Sequence, residues 1–142
     1  MGNYPTRGDM FTQAALNTTI LISGASIAGP TLAYWLKRSG FTPTVIERAP
    51  QLRAGGYPVD VRYEAKHVAR LMGIWPPLQQ EKTSFSEISF VNERNERIGS
   101  INGQAMRQTF DPAVAEIMRG DLAKILYELT KDEVEYCFVD PI

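Results

Sequence analysis

Apolar and polar residues along this chain fall into short blocks whose period changes from one block to the next. Thr18 to Ser23 (TTILIS) is a β-branched, apolar run that predicts a buried strand. Gly24 to Pro30 (GASIAGP) is a turn of small residues, and Pro30 suits the first turn of a helix, where its missing N–H is not needed. Thr31 to Ser39 (TLAYWLKRS) reads as that helix, and Gly40 stops it. Thr42 to Glu47 (TPTVIE) returns as a second strand, with Pro43 tolerable near its start. Strand, tight turn, helix and strand within about 30 residues predict a βαβ unit with a right-handed crossover.

The pattern beyond Glu47 is more mixed. Pro50 to Pro58 reads as a loop containing Gly55-Gly56. Arg62 to Met72 predicts a helix with Ala65, Val68, Ala69 and Met72 on one face, capped by Gly73. Trp75-Pro76-Pro77 reads as a break, followed by a short polar helix to Lys82. Phe85 to Val91 (FSEISFV) alternates, Asn92 to Glu96 is a polar turn, and Arg97 to Ile101 returns. This predicts a hairpin with one wet face. Gly103 to Ala115 has no clear period. Asp121 to Thr130 is amphipathic, with Leu122, Ile125, Leu126 and Leu129 at i, i+3, i+4 and i+7. Val134 to Val139 (VEYCFV) predicts a last strand, and a further element is expected where the chain reaches Ile142. Met1 to Asn17 reads as a loose N-terminal extension.

Composition narrows the function classes. The 142 residues suit one domain, and a chain of this size buries roughly two-thirds of its unfolded surface. The 15 basic and 16 acidic residues leave no broad basic field for nucleic acid. Cys137 is the only cysteine, which excludes an intrachain disulfide and a cysteine zinc cluster. No apolar run approaches a membrane span, and the first residues lack the pattern of a secretory signal. A cytoplasmic protein with no membrane partner is expected.

The chemistry lies in the turn. Gly24, Ser26 and Gly29 occupy the three places of G-x-G-x-x-G. The first glycine makes the tight turn, the second place lets backbone approach a pyrophosphate, and the third lets helix and strand pack closely. Ser26 departs from glycine, but it is small and its hydroxyl can donate to a phosphate. Backbone N–H groups from Gly24 through Ser26, Ile27, Ala28 and Gly29 would hold the pyrophosphate, aided by the helix dipole. Glu47 closes the second strand, where a carboxylate accepts hydrogen bonds from ribose hydroxyls. Glu47 also argues against a 2′-phosphate, an argument that the neighbouring Arg48 leaves open. The turn by itself supports some dinucleotide, FAD or NAD. A short-chain dehydrogenase pattern fails, because Ala28 and Pro30 stand where it wants glycines and Tyr63 and Lys66 are one residue too close. His67, the only histidine, has no partner in the pattern and reads as structural.

With these residues in view, the sequence resembles the FAD-dependent monooxygenases of the p-hydroxybenzoate hydroxylase type. Ile20 to Pro30 (ILISGASIAGP) is similar to that family's first strand and phosphate turn, in the branch with serine at the second place. Val45 to Pro50 (VIERAP) is similar to its second strand followed by Glu-Arg. Gly55 to Arg62 (GGYPVDVR) resembles the loop that runs past the flavin, and Glu116 to Leu126 (EIMRGDLAKIL) its Arg-x-x-Leu helix. The resemblance implies an α/β fold with a Rossmann-like FAD-binding βαβ domain of the GR2 flavoprotein type, incomplete, with a β-hairpin insertion. It implies that Glu47 binds the adenosine ribose, that Arg48 lies near the FAD phosphates or a docking nicotinamide nucleotide, and that Arg119 reaches the FAD. Asp60 and Arg53 are implied to lie near the flavin more loosely. The implied chemistry belongs to the cofactor: NAD(P)H reduces the flavin and oxygen is then transferred to a small organic substrate, aromatic ones included.

The family's later Asp-Gly and Gly-Asp motifs do not occur before Ile142, nor does most of its substrate domain. Residues 18–142 are therefore expected to be a truncated FAD-binding domain, not competent in hydroxylation alone and served by a complementing chain or else an inactive remnant.

Overall fold

The computed structural model describes residues 18–83, 86–105 and 115–138. The expected N-terminal extension, much of the stretch without a period and the last four residues lie outside them.

Strand β1 (Thr19–Ser23) pairs in parallel with β2 (Thr42–Glu47), and helix α1 (Ala28–Arg38) makes the crossover between them. Ile22 faces Val45 across this pair, and both are buried. β2 also pairs in parallel with β7 (Glu135–Phe138), so the sheet order is β1-β2-β7. The helix starts at Ala28, earlier than the apolar pattern indicates, because Gly29 and Pro30 both enter its first turn. Its C-terminal end carries Lys37 and Arg38, which complement the negative end of the helix dipole. Gly40, at φ +85°, then lets the chain leave in the left-handed region.

β1 corrects the expectation of a buried strand. It lies at the sheet's edge, and only alternate residues are covered: Ile22 is buried while Leu21 is 67% exposed. An apolar run alone does not reveal that one of its two faces has no neighbour.

Two strands depart from the predicted loops. β3 (Pro58–Val61) and β6 (Ala115–Met118) form a separate antiparallel pair, with Val61 opposite Ala115 and Pro58 opposite Met118. Each is only four residues long, and their partners are distant in sequence, so neither shows a period of its own. After β3 come α2 (Glu64–Leu71) and α3 (Trp75–Gln80). Pro76 and Pro77 do not break the chain as expected. They sit in the first turn of α3, where a missing N–H costs nothing. Helix α4 (Arg119–Thr130) follows β6 directly.

The buried residues form two clusters. One joins Tyr34 of α1, Val61, Ala69, Met72, Leu78, Ile117, Leu122 and Leu126, drawing on β3, α2, α3, β6 and α4. The other joins Ile22, Ala25, Ala33, Val45 and Val134 around the parallel sheet. Each large aliphatic side chain so buried contributes about 1.5–3 kcal/mol over its exposed state. Helix α1 gives Ala33 to one cluster and the adjacent Tyr34 to the other, so it is the wall between them.

β4 (Glu87–Val91) and β5 (Arg97–Asn102) form the predicted hairpin, with an irregularity between Phe90 and Val91. Its polar face carries an Arg97–Glu87 ion pair at 2.7 Å. The opposite face, with Phe90 opposite Gly99 and Ile88 opposite Ile101, was expected to be covered, yet Phe90 is 49% exposed. Among the described residues no helix is long and apolar enough to cross a membrane.

Candidate dinucleotide cleft

Where β1 ends, the chain turns on Gly24, whose φ of +106° is open to glycine and strained for other residues. The Gly24 N–H donates to the carbonyl of Ile46 at 2.7 Å, extending the β1–β2 ladder by one residue. The next N–H, that of Ala25, donates to Glu47 Oε2 at 2.9 Å. The N–H of Ala49 donates to Glu47 Oε1 at 3.0 Å. One carboxylate at the end of β2 thus ties the phosphate turn to the segment leaving the sheet. These amides, Ala25 first and Ala49 second, hold the Glu47 carboxyl below the ordinary value of 4.5. Arg53 and Arg48 add to the effect, and burial opposes it.

Gly29 explains the close fit of helix on strand. A Cβ built there would lie 1.9 Å from the Gly24 carbonyl oxygen, closer than any real contact. The first N–H groups of α1 have no acceptor within the helix. No side chain caps it, no acidic residue lies in its first turn, and Pro30 has no N–H to satisfy. The start of α4 differs. There Arg119 N–H donates to the Tyr57 carbonyl at 3.1 Å and Gly120 N–H to the Gly55 carbonyl at 2.9 Å. Of the two helix starts near the turn, that of α4 is the one whose first N–H groups are tied to neighbouring carbonyls among the described residues.

Arg119 reaches from the start of α4 to the phosphate turn, where its Nη2 donates to Ser26 Oγ at 3.1 Å. Its guanidinium carbon is 5.8 Å from the centre of the Tyr57 ring. A cleft of about 540 Å³ opens between these parts. Residues of the turn (Gly24, Ala25, Ser26) line one side. Glu47, Arg48, Leu52 and Arg53 line the next, and the Gly55-Gly56 loop with Arg119 and Gly120 closes it. Three arginines and one carboxylate therefore share the cleft, and that carboxylate already accepts two backbone N–H groups. Among the described residues no salt bridge engages Arg48, Arg53 or Arg119. The side-chain charge lining the cleft is therefore net positive.

Of the predicted residues, Gly24, Ser26, Glu47, Arg48 and Arg119 converge on the cleft, and so does Arg53. Ile27, Ala28 and Gly29 stand behind the turn at the start of α1 and do not line it. Asp60 does not reach it. It alternates with the inward Val59 and Val61 on β3 and pairs with Arg62 at 3.0 Å. His67 is exposed on α2 and lines no part of the cleft. Ala25, Leu52 and Ala54 also line the cleft without having been marked as site residues in the sequence, and Gly55, Gly56 and Gly120 line it from segments marked only by resemblance, with Tyr57 beside Arg119. The Gly55-Gly56 pair was visible as a flexible loop, but its docking on α4 was not. Among the described residues no cluster of His, Cys, Asp or Glu could hold a metal ion.

No protein-family model matches the chain. Individual proteins do. An uncharacterized protein of Mycobacterium tuberculosis is 39% identical over 125 residues, which is 87% of this chain and 34% of that protein. A flavin-dependent monooxygenase of Legionella longbeachae is 39% identical over 116 residues, 82% of this chain and 30% of the relative. Among solved structures, tetracycline destructase Tet(51) superposes with a TM-score of 0.70 at 34% identity, over 84% of this chain and 29% of its own. CtdE in complex with FAD gives 0.63 at 19% identity over 84% and 29%, a likeness of fold. The chain thus spans about a third of the length of the curated relatives it matches. Over that third, both sequence and fold are similar to those of flavin-dependent monooxygenases.

Proposed function

We propose that this chain is the FAD-binding portion of a flavin-dependent monooxygenase, with a Rossmann-like βαβ domain of the GR2 type across residues 18–142. The observation that carries the reading is the convergence of the phosphate turn, Glu47 and Arg119 on one cleft. The residues fit the cofactor. Ser26 at the turn and the three arginines that line the cleft offer donors and positive charge to a pyrophosphate. The remaining lone pairs of Glu47 accept ribose hydroxyls, and Gly29 lets α1 start close against the turn at Gly24.

In the enzyme so proposed, FAD held by these residues would supply the redox chemistry for NAD(P)H-driven hydroxylation of a small organic substrate, aromatic ones included. The work of this chain's residues is to bind and orient. The turn at Ser26 faces the phosphates, Glu47 holds the adenosine end, and Arg119 neutralises charge between them. Asp60 pairs with Arg62 outside the cleft.

Titration of the purified chain with FAD, followed by flavin fluorescence, tests the reading. Saturable binding that Arg119→Ala and Glu47→Ala each weaken supports it. A larger thermal shift with NAD than with FAD would overturn it in favour of a nicotinamide-dependent dehydrogenase. The chain by itself is expected to bind FAD weakly and to hydroxylate little, and substrate-dependent NADPH oxidation by the chain alone would refute that expectation. A second reading, a dinucleotide-binding module completed by a partner chain, is favoured by the apolar side chains left outside both clusters, Leu21 on β1 and Phe90 on β4. A second polypeptide that co-purifies and tightens FAD binding would support it.

A further inference from the structure

We propose that Ser26 is a positioning residue for Arg119: its hydroxyl oxygen accepts from the guanidinium and holds it over the phosphate turn. The proposal rests on the FAD reading above, and it goes beyond that reading by giving the second glycine place a task of its own.

Arg119 is fixed along its whole length. Its backbone N–H donates to the Tyr57 carbonyl. Its stem packs on the Gly55-Gly56 loop, where a Cβ added to Gly56 would lie 3.4 Å from Arg119 Cβ and 3.9 Å from its Cδ. Its guanidinium stands beside the Tyr57 ring, and its tip donates to Ser26 Oγ at 3.1 Å. Among the described residues, Ser26 gives the hydrogen bond that ties this arm to the phosphate turn, across 93 residues of sequence. An arginine otherwise loses much side-chain freedom when it orders on a ligand. An arm already held at stem and tip loses less, and binding is stronger by the difference. A serine hydroxyl has one donor and two acceptor positions. Receiving Arg119 on one acceptor position leaves its O–H free to point into the cleft. A glycine at position 26 would keep the backbone path and lose the tether.

The alternative is that Ser26 merely replaces glycine without penalty. The two views differ on Ser26→Gly. A merely tolerated serine predicts binding of FAD as tight as or tighter than the parent, since the full glycine pattern is restored. The positioning role predicts binding about tenfold weaker for Ser26→Gly and Ser26→Ala, the size expected for a lost hydrogen bond to a charged group. Ser26→Thr, which keeps the hydroxyl, restores most of the affinity. In an Arg119→Ala background, Ser26→Ala costs less than about twofold, because its effect acts through the arginine.

A readout without ligand separates this proposal from the FAD reading. In the ligand-free chain labelled with ¹⁵N-arginine, the Arg119 side-chain Nε–Hε resonance, assigned by its loss in Arg119→Lys, is expected to stand apart from the mobile arginines. It joins them in Ser26→Ala and separates again in Ser26→Thr. A parent chain that fails to bind FAD defeats the functional reading, and the guanidinium resonance then still decides the role of Ser26. An Nε–Hε resonance unchanged in Ser26→Ala, or a Ser26→Gly chain that binds FAD as tightly as the parent, overturns the proposal.

Discussion

Glu47 accepts two backbone N–H groups with two oxygens, so its charge and its geometry are one matter. Because the folded state holds its carboxyl below the ordinary 4.5, the stabilisation it provides is fully present above that value and is lost as pH falls through the lowered one. The melting temperature of the ligand-free chain is therefore expected to fall as the buffer is taken below about pH 4.5. Glu47→Gln should flatten that fall, since glutamine does not titrate. Glutamine also offers one N–H donor where an acceptor is needed. At neutral pH it should cost about 1 kcal/mol in urea denaturation, a modest figure because water reaches this half-buried site. Gly29→Ala is a different kind of change. The added methyl meets a backbone carbonyl that no rotamer can move aside, so strand and helix must part. A loss of about 1–3 kcal/mol is expected, with FAD binding abolished, measured by urea melts and by flavin fluorescence.

Among the elements, α3 shows how little a short helix needs in order to matter. Leu78 is fully buried between α3 and its neighbours, and Leu78→Ala is expected to destabilise the chain by about 2–5 kcal/mol in denaturant titrations. The βαβ unit was legible because each of its parts carries its own signal: a β-branched run, small residues at the turn, Gly40 at the helix end. α4 was legible through Leu122 and Leu126, both buried as its period requires. β3 and β6 were not legible, because a four-residue strand owes its existence to a partner that the local sequence does not contain. The same reason hid part of the cleft. Gly24, Glu47 and Arg48 sit close together in sequence and can be read from spacing, whereas Ser26 and Arg119 meet only in the fold. Asp60, a charge carried over by position, stands outside this cleft on β3 beside Arg62.

At the scale of the whole molecule, the cleft borders the sheet cluster through Ala25 and Leu52, and it reaches α4, which carries Leu122 and Leu126 of the other cluster, through Arg119, Gly120 and Ala123. A ligand that touches both sides links two bodies of packing otherwise joined mainly through α1. FAD at a hundred times its dissociation constant is expected to add about 2.7 kcal/mol of stability. Hydrogen exchange should show that gain as slower exchange in both β1 and α4. Protection confined to β1 and α1 would mean that the ligand does not engage Arg119.

The three glycine places of the turn differ in how much change they can absorb. Gly24 is held by its backbone angle and Gly29 by a neighbouring carbonyl, and both limits apply to every side chain alike. Among the described residues, only Tyr63 and Asn95 combine a positive φ with a side chain, so Ser26 is under no such limit. In a library randomised at these positions and selected for folding alone, positions 24 and 29 should return glycine while position 26 returns many small residues. Mutational tolerance is thus concentrated at the middle of the motif, which is where a side chain can be recruited for chemistry without disturbing the turn that carries it.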